Sequence, residues 1–311
     1  MAQLQVAQIT DPGCPFAYGG EALVSALRWR FGDQLDWRIV TIGLAEDPSH
    51  YESRGYTAER MTQGWLGFRD TGMPFTVAPR SRVLATGPAC RVIVAARIES
   101  PALARRVLRA FQFAWFTTGL LLDTDDGLRA VLETIPGADP DLLLARIADD
   151  DVEDAYQRDR GEARSAAGSP AWAQGRTAAT DGAERYTAPT LIFEAADGRR
   201  LEAGGRQPLE VYDALVANLD PSLERRPPPA DALQAVDAFE HGLTTREVAL
   251  ILAGHNEDPD DRAAAEQLIH HAAAGEVGCV PIGNDALWVP ATSGPFKRLR
   301  AVRELVASSI G

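Results

Sequence analysis

A cysteine placed between a predicted strand and a predicted helix is the feature that most constrains this chain. The β-prone run that ends near residue 10 is broken by Asp-Pro-Gly at residues 11–13, and Cys14 and Pro15 follow. A helix is predicted from about residue 16 to residue 31. Free N–H groups and the positive end of the helix dipole meet at such a turn, so we expect the pKa of the Cys14 thiol to be lowered. Pro15 fits the first helical turn because it has no N–H to satisfy.

Two short motifs resemble those of a known family. Residues 11–18 (DPGCPFAY) are similar to the active-site turn of DsbA-like thioredoxin-fold proteins, and residues 186–193 (YTAPTLIF) are similar to their cis-proline loop. That group includes disulfide oxidoreductases, glutathione transferase kappa and 2-hydroxychromene-2-carboxylate isomerase. The resemblance covers about residues 1–219. It implies an α/β protein, namely a thioredoxin fold with a large all-helical insert.

The resemblance also implies an active site in which Pro189 faces Cys14. It predicts a cis peptide bond between Ala188 and Pro189, and a main chain at Ala188 that pairs with substrate as an added strand would. The hydroxyl of Tyr18 could donate to a thiolate or to a bound substrate; alternatively, the rings of Phe16 and Tyr18 pack against the insert. The candidate site residues are Cys14 as the nucleophile, with Pro15, Phe16, Tyr18, Ala188 and Pro189 in substrate binding.

Ala17 occupies the position of the second cysteine of the dithiol members of the family. Because the turn contains no resolving thiol, a mixed disulfide at Cys14 needs an external thiol to be released. This favours a DsbA-like thiol–disulfide oxidoreductase with a single active-site cysteine. Such an enzyme binds no cofactor and uses a low-molecular-weight thiol of the glutathione or mycothiol type as co-substrate. Two alternatives stay open: a thiol-dependent isomerase or transferase of the kappa type, and a non-catalytic thioredoxin-like binding module.

The composition limits the classes of binding partner and the cellular compartment that the sequence predicts. The formal net charge of −13 argues against nonspecific binding to nucleic acid or to an anionic membrane. The partner that the family resemblance and the single cysteine imply is a small thiol or disulfide. Three cysteines are typical of a reducing compartment rather than of a disulfide framework. The first residues do not resemble a secretory signal, and no apolar run has transmembrane length, so the sequence predicts a cytoplasmic protein. Lys297 is the only lysine, and we interpret the excess of arginine as a compositional bias.

Apolar periodicity gives a coarse order of elements. A strand, a helix and a second strand open the chain, which predicts a parallel pair of strands joined by a right-handed crossover. A helical block at about residues 55–170 follows, and the cis-proline motif comes after it. Strands are predicted at residues 4–10, 36–44, 190–194 and 200–203, and a closing helix is predicted at residues 208–218.

Three consecutive prolines at residues 227–229 mark the clearest domain boundary, so we predict a thioredoxin-like domain at 1–225 and a second domain at 226–311. The second domain is similar in outline to a winged helix. Residues 231–304 hold about twice as many acidic as basic side chains, which favours a protein partner or a lid over DNA. Its elements are predicted as helices at 231–241, 244–253, 260–274 and 296–310, and strands at 275–281 and 286–290.

The remaining cysteines and the histidines are expected to be structural. Cys90 lies in an apolar helical run, and Cys279 lies in a predicted hairpin. Four of the five histidines lie in the C-terminal region, but they lack the spacing of metal ligands, so no metal site is predicted.

Overall fold

The structure is a computed structural model that describes residues 4–180, 182–254 and 257–291. Its main sheet has the strand order β2-β1-β5-β6. In that sheet β1 runs parallel to β2 and antiparallel to β5, and β5 and β6 form an antiparallel hairpin. In chain order the strands are β1 (Leu4–Thr10), β2 (Leu35–Thr41), β3 (Thr177–Ala178), β4 (Arg185–Tyr186), β5 (Thr190–Glu194), β6 (Arg200–Gly204), β7 (Leu243–Thr244), β8 (Val277–Ile282) and β9 (Asp285–Pro290).

Helices cover the sheet and form most of the chain between β2 and β5. No helix among the described residues is both long and apolar enough to span a bilayer. In chain order the helices are α1 (Pro15–Phe31), α2 (Ser49–Glu52), α3 (Ala58–Trp65), α4 (Gly87–Glu99), α5 (Pro101–Thr117), α6 (Asp125–Leu132), α7 (Pro140–Ala145), α8 (Asp150–Ala163), α9 (Pro170–Ala173), α10 (Leu209–Leu219), α11 (Ala232–Asp237), α12 (Thr245–Leu252) and α13 (Asp261–Ala273).

The β1–α1–β2 unit follows the pattern that the sequence predicts. β1 has the predicted bounds, and it pairs in register with β2 from Leu4 opposite Leu35 onwards. Because the two strands are parallel, their carboxyl ends meet at one edge of the sheet, where the turn to α1 begins. Helix α1 stops at Gly32, whose φ of 54° lies in the region that glycine adopts without strain.

The helical insert is centred on α4 and α5, which pack against each other. Val92 of α4 and Phe111 of α5 are fully buried in the core that the insert shares with the inner side of α1. The two-residue strands β3 and β4 pair antiparallel just before the cis-proline motif. The sequence pattern did not predict them, because runs of two residues are too short to show a period.

The C-terminal elements follow in the order α11, β7, α12, α13, β8 and β9, and their sheet has the order β7-β9-β8. Helix α12 begins with the predicted capping box. The Thr244 side chain accepts from the Glu247 N–H, and the Glu247 carboxylate accepts from the Thr244 N–H at 2.9 Å. The short strand β7 was not predicted, and the helix predicted at residues 296–310 lies outside the described residues.

The C-terminal elements share a hydrophobic core with the rest of the chain. Leu27 of α1 and Tyr212 of α10 belong to the same buried cluster as Val248 of α12, Leu268 of α13 and Trp288 of β9. The division of the chain near residue 226 stays a prediction, but the described residues on its two sides bury one another's apolar surface. The C-terminal elements are therefore part of what stabilises α1.

A buried ionic cluster links α1, α5 and α12. Its members are Glu21, Arg105, Arg109 and Glu247. Arg109 donates to Glu247 at 2.6 Å and lies 3.9 Å from Glu21, and Arg105 donates to Glu21 at 2.7 Å. Burial disfavours the charge of Glu21, but the charges of the two guanidinium groups and the hydrogen bonds from Arg105 and Gln112 outweigh it. The pKa of Glu21 therefore lies below its ordinary value.

Candidate functional site

The turn that carries Cys14 is closed by its own hydrogen bonds. The Asp11 carboxylate accepts from the Gly13 N–H at 2.9 Å, and the Cys14 N–H donates to the Asp11 carbonyl at 3.2 Å. A Cβ at Gly13 would lie 2.7 Å from the Thr86 methyl and 2.8 Å from the Trp115 ring, so only glycine fits without a shift. Cys14 is thus held in the N-cap position of α1, with Pro15 at the first helical position.

The cis-proline motif lies against Cys14. The Ala188–Pro189 peptide bond is cis, as the sequence predicted. Thr190 pairs with Ile9 across β5 and β1, which brings the residues before β5 next to the residues after β1. The Cys14 thiol donates to the Ala188 carbonyl, with 3.5 Å between sulfur and oxygen. The two motifs that are 174 residues apart in sequence therefore meet at one site.

The expectation of a lowered thiol pKa is wrong for this structure. Cys14 is only 6% exposed, and burial raises its pKa to about 11. The N–H groups of Ala17 and Phe16 favour the thiolate, and so does the charge of Arg185, but the carboxylate of Asp11 acts in the opposite direction. The helix terminus does stabilise the anion as predicted. Desolvation is the larger effect, so the resting form is the protonated thiol.

Alkylation of Cys14 is therefore expected to be slow at neutral pH and to rise about tenfold per pH unit towards pH 11. With a pKa of about 11, roughly one molecule in ten thousand carries the thiolate at pH 7. Mass spectrometry after timed iodoacetamide labelling would follow each thiol separately. Cys279 is exposed and provides the internal control for reagent access, and the fully buried Cys90 should react only on unfolding. A half-maximal rate below about pH 8.5 would contradict the buried-thiol geometry.

The surface beside Cys14 is apolar. Phe16 is 61% exposed, and its ring meets the Phe68 ring edge-to-face at a centroid distance of 4.6 Å. Pro15 is partly exposed next to it, and Leu66 is exposed near Phe68. Exposed apolar groups that lie together are typical of a binding surface. This arrangement keeps Pro15 and Phe16 in the candidate substrate-binding set.

Tyr18 does not belong to the exposed site. It is fully buried, its hydroxyl donates to the Pro74 carbonyl at 2.9 Å, and its ring stacks on Phe116 at 4.7 Å. The hydroxyl is used inside the insert, so the alternative that the ring packs against the insert is the correct one for Tyr18. Residues 16 and 18 point in different directions because a helix turns by about 100° per residue.

Asp11 is buried beneath the turn and joins it to α4. Besides the Gly13 N–H, its carboxylate accepts from the Leu44 N–H at 3.0 Å, from the Thr86 hydroxyl at 3.1 Å and from the Cys90 thiol at 3.6 Å. Burial raises the pKa of Asp11 above its ordinary value, although these hydrogen bonds favour the charged form. Asp11 therefore closes the turn and also holds in place the loop after β2, through Leu44, and the start of α4, through Thr86 and Cys90.

Two further side chains, Tyr51 and Arg185, face this region. Burial raises the pKa of Tyr51, and the charges of Asp11 and Cys14 raise it further. Arg185 lowers the pKa of Cys14, and one of its nitrogens donates to the Tyr186 carbonyl at 3.0 Å. Tyr51 lies in the short helix α2, in an aromatic stretch that the family resemblance allows either to wall the active-site cleft or to pack in the core of the insert. The position of Arg185, four residues before Pro189, could have suggested its place beside the site.

The two other cysteines, both predicted to be structural, differ in their exposure. Cys90 lies in the core as predicted, but Cys279 lies on the exposed side of β8 and is not a core residue. No group of three or more His, Cys, Asp or Glu side chains in the described parts of the chain is arranged to hold a metal ion.

The fold and the Cys14–cis-proline geometry define a thioredoxin fold of the DsbA-like kind with a helical insert. No family model matches the chain, and no curated protein matches it in sequence. Solved structures match the fold. A candidate protein disulfide isomerase from Nitrosomonas europaea is 18% identical with a TM-score of 0.52, over 70% of this chain and 97% of that one.

Two further structures are similar to the same extent. The cytosolic disulfide reductase DsbM from Pseudomonas aeruginosa is 18% identical, with a TM-score of 0.50 over 70% of this chain and 100% of that one. A second structure of that reductase is described as containing GSH. A probable DsbA oxidoreductase from Streptomyces coelicolor is 18% identical, with a TM-score of 0.51 over 71% of this chain and 91% of that one. Since these proteins are covered almost completely, about 30% of this chain has no counterpart in them.

Proposed function

We propose that this protein is a DsbA-like thiol–disulfide oxidoreductase in which Cys14 is the single active-site cysteine. The observation that carries the proposal is the contact between the Cys14 sulfur and the Ala188 carbonyl, next to a cis proline and at the start of a helix. The co-substrate is a low-molecular-weight thiol of the GSH type. The GSH-containing structure of the similar reductase DsbM supports this choice, and so does Ala17, which leaves the turn without a resolving thiol.

The reaction needs two exchanges at one sulfur. The Cys14 thiol loses its proton to solvent, and the thiolate attacks a disulfide, forming one S–S bond and expelling one thiolate, which takes up a proton. The N–H groups of Phe16 and Ala17 stabilise the Cys14 thiolate at this stage. A second thiolate, from the GSH-type thiol, then attacks the mixed disulfide and releases Cys14. When the substrate is a mixed disulfide with that thiol, Cys14 takes the small-thiol half and the other half leaves as a thiol. One free small thiol is then consumed to release Cys14, and the product is the disulfide of the small thiol.

The proposal is tested by trapping the intermediate. Incubation with oxidised glutathione at pH 9 should add one glutathionyl group to Cys14, detected by peptide mapping, and added GSH should remove it. Reduction of a mixed disulfide should depend saturably on GSH and accelerate from pH 7 to pH 10, because the thiolate fraction rises with pH below a pKa of about 11. Modification of Cys279 alone, with Cys14 unmodified in the folded protein, would refute the proposal.

One observation favours a second candidate, a thiol-dependent isomerase or transferase of the kappa type. A protonated Cys14 can hydrogen-bond and orient a bound thiol without attacking it, and burial keeps Cys14 protonated at neutral pH. In that case the thiolate of the small-molecule substrate performs the chemistry. Retained isomerase or transferase turnover in a Cys14→Ser variant would select this candidate, and the absence of both activities would leave a binding module.

We also propose that residues 226–311 form a winged-helix-like unit whose partner is a protein rather than nucleic acid. The order of elements and the strand order β7-β9-β8 support the winged-helix outline. Helix α13 begins with acidic residues and contains Arg262 as its arginine, which disfavours contact with phosphate groups. We also propose a cytoplasmic location, which the cytosolic description of the similar reductase supports.

A further inference from the structure

A cavity lies at the end of the sheet opposite to Cys14. Cys14 follows the carboxyl end of β1, whereas this cleft is lined by Leu35 and Trp37 at the beginning of β2, which is parallel to β1. The second half of α1, the first turn of α5 and the residues just before β7 complete the walls. The cleft has a volume of about 700 Å³, which is within the range of small-molecule sites.

Arginine side chains dominate the wall of this cleft. Arg28, Arg105, Arg106 and Arg226 line it together with Arg38 and Arg97. The last two are held by carboxylates outside the cleft, Arg38 by Glu162 and Arg97 by Asp159. In addition, the first turn of α5 turns the positive end of its dipole to the cleft. The acidic residues of the wall are Asp33, Asp36 and Glu240, of which Glu240 pairs with Arg106 at 3.1 Å.

Several buried donors on this wall have no hydrogen-bond partner among the described residues. Arg105 is only 7% exposed; its Nη1 donates to Glu21, but its Nε and Nη2 bond to nothing in the described chain. Three further buried atoms also lack a hydrogen-bond partner in the described chain: the Nε atoms of Arg28 and Arg106 and the indole Nε1 of Trp37. Buried donors of a folded protein are nearly always satisfied, so this concentration at one cavity points to a missing acceptor.

The local field also favours an anion. Burial lowers the pKa of His241 in the wall, and the positive charges of Arg105, Arg109, Arg28 and Arg106 lower it further. The arginines here therefore exceed the carboxylates that face them, in a chain whose net charge is −13. Arg28 stacks on the Trp37 ring at 4.0 Å, which holds its guanidinium in place at the cleft.

We propose that this cleft binds a small anion through an oxyanion group, a phosphate or a carboxylate. Once small rotations of these side chains bring their buried N–H groups to the cavity, Arg105 and Arg28 supply charge-assisted hydrogen bonds and the Trp37 N–H supplies a neutral one. The site is separate from Cys14, and its occupancy does not depend on the thiol chemistry. Because Arg105 also belongs to the buried ionic cluster, a bound anion would compensate charge next to the contact between α1 and α5.

Isothermal titration calorimetry with pyrophosphate and with citrate, at matched ionic strength with chloride as the reference, tests the proposal on the full chain. Binding of pyrophosphate alone identifies a phosphate site, and binding of citrate alone identifies a carboxylate site. Arg28→Gln should weaken binding about tenfold or more, and Trp37→Phe, which keeps the ring but removes the N–H, should weaken it about threefold.

Arg38→Gln is the matched control. It removes one positive charge from the same cleft, but the Arg38 guanidinium is already bonded to Glu162 at 2.7 and 2.9 Å. We expect less than about a twofold loss from this variant. Equal losses in Arg28→Gln and Arg38→Gln would indicate nonspecific attraction and would overturn the site. The absence of heat with both probes at millimolar concentration, in protein whose thermal unfolding is normal, would overturn it as well.

Discussion

Replacing Cys14 by serine is expected to lower the rate of thiol–disulfide exchange by at least about 10³-fold, to the level of the reaction without protein. The serine hydroxyl can still donate to the Ala188 carbonyl, so the fold and the substrate surface should persist. What disappears is the sulfur that forms the intermediate disulfide. The measurement is GSH-dependent reduction of a mixed disulfide between pH 7 and pH 10, with thermal unfolding recorded for the same sample.

Cys279→Ser provides the matched control for this experiment. Cys279 is exposed on β8, far from Cys14 in sequence, and its replacement should leave exchange unchanged within about twofold. If Cys14→Ser retained the parental rate and Cys279→Ser lost it, the proposed site would be wrong. If both retained an isomerase or transferase activity, the kappa-type candidate would replace the oxidoreductase.

The parts of the fold that local pattern determines were predictable. The bounds of β1, the start of α1 near Pro15 and the capping box at Thr244 depend on a few neighbouring residues, and each is confirmed. The meeting of Cys14 and Pro189 was also predictable, because the resemblance of two motifs supplied the long-range pairing that periodicity cannot.

The pKa of Cys14 was not predictable from its local sequence. A helix terminus is a local feature, and its effect on the thiolate is present. The opposing effect is desolvation. It depends on Ala188, on Thr86 just before α4 and on Trp115 of α5, which pack against the turn. These groups are distant in sequence, so only the packed chain shows which effect is larger. Tyr18 illustrates the same limit, since its direction follows from where the insert lies.

The buried arginines show a second limit of prediction from the sequence. The number of arginines was interpreted as compositional bias, and for many exposed pairs that interpretation still holds. Arg105 and Arg109, however, lie four positions apart on α5, so both point from the same face of the helix towards α1 and α12. A helix that buries two arginines needs carboxylates opposite them, and Glu21 and Glu247 meet that requirement.

Replacing Arg109 by leucine is expected to lower the free energy of unfolding by about 3–5 kcal/mol. Arg109 is fully buried, and its removal leaves Glu247 without its guanidinium and Glu21 with one of two. Chemical denaturation followed by circular dichroism measures the change. Arg262→Ala is the control, because Arg262 forms an exposed pair with Glu266 within α13, and such pairs contribute little.

The pH dependence of that loss separates charge from packing. In the parent, the lowered pKa of Glu21 means that its contribution to stability is complete above the unfolded-state pKa, near 4.3, and is lost as the pH falls through the folded value. In Arg109→Leu the Glu21 carboxylate is still buried but has lost one of its two neighbouring guanidinium groups. Protonation of Glu21 then removes an unfavourable buried charge. The difference in unfolding free energy between parent and variant should therefore be largest near pH 7 and shrink towards pH 4.

The double variant Arg109→Leu/Glu247→Leu should recover part of the loss at neutral pH, since replacing both partners removes the unpaired charge. A loss that is constant with pH and undiminished in the double variant would show that Arg109 acts through its packing volume, and the ionic account of how α5 is joined to α1 and α12 would have to be abandoned.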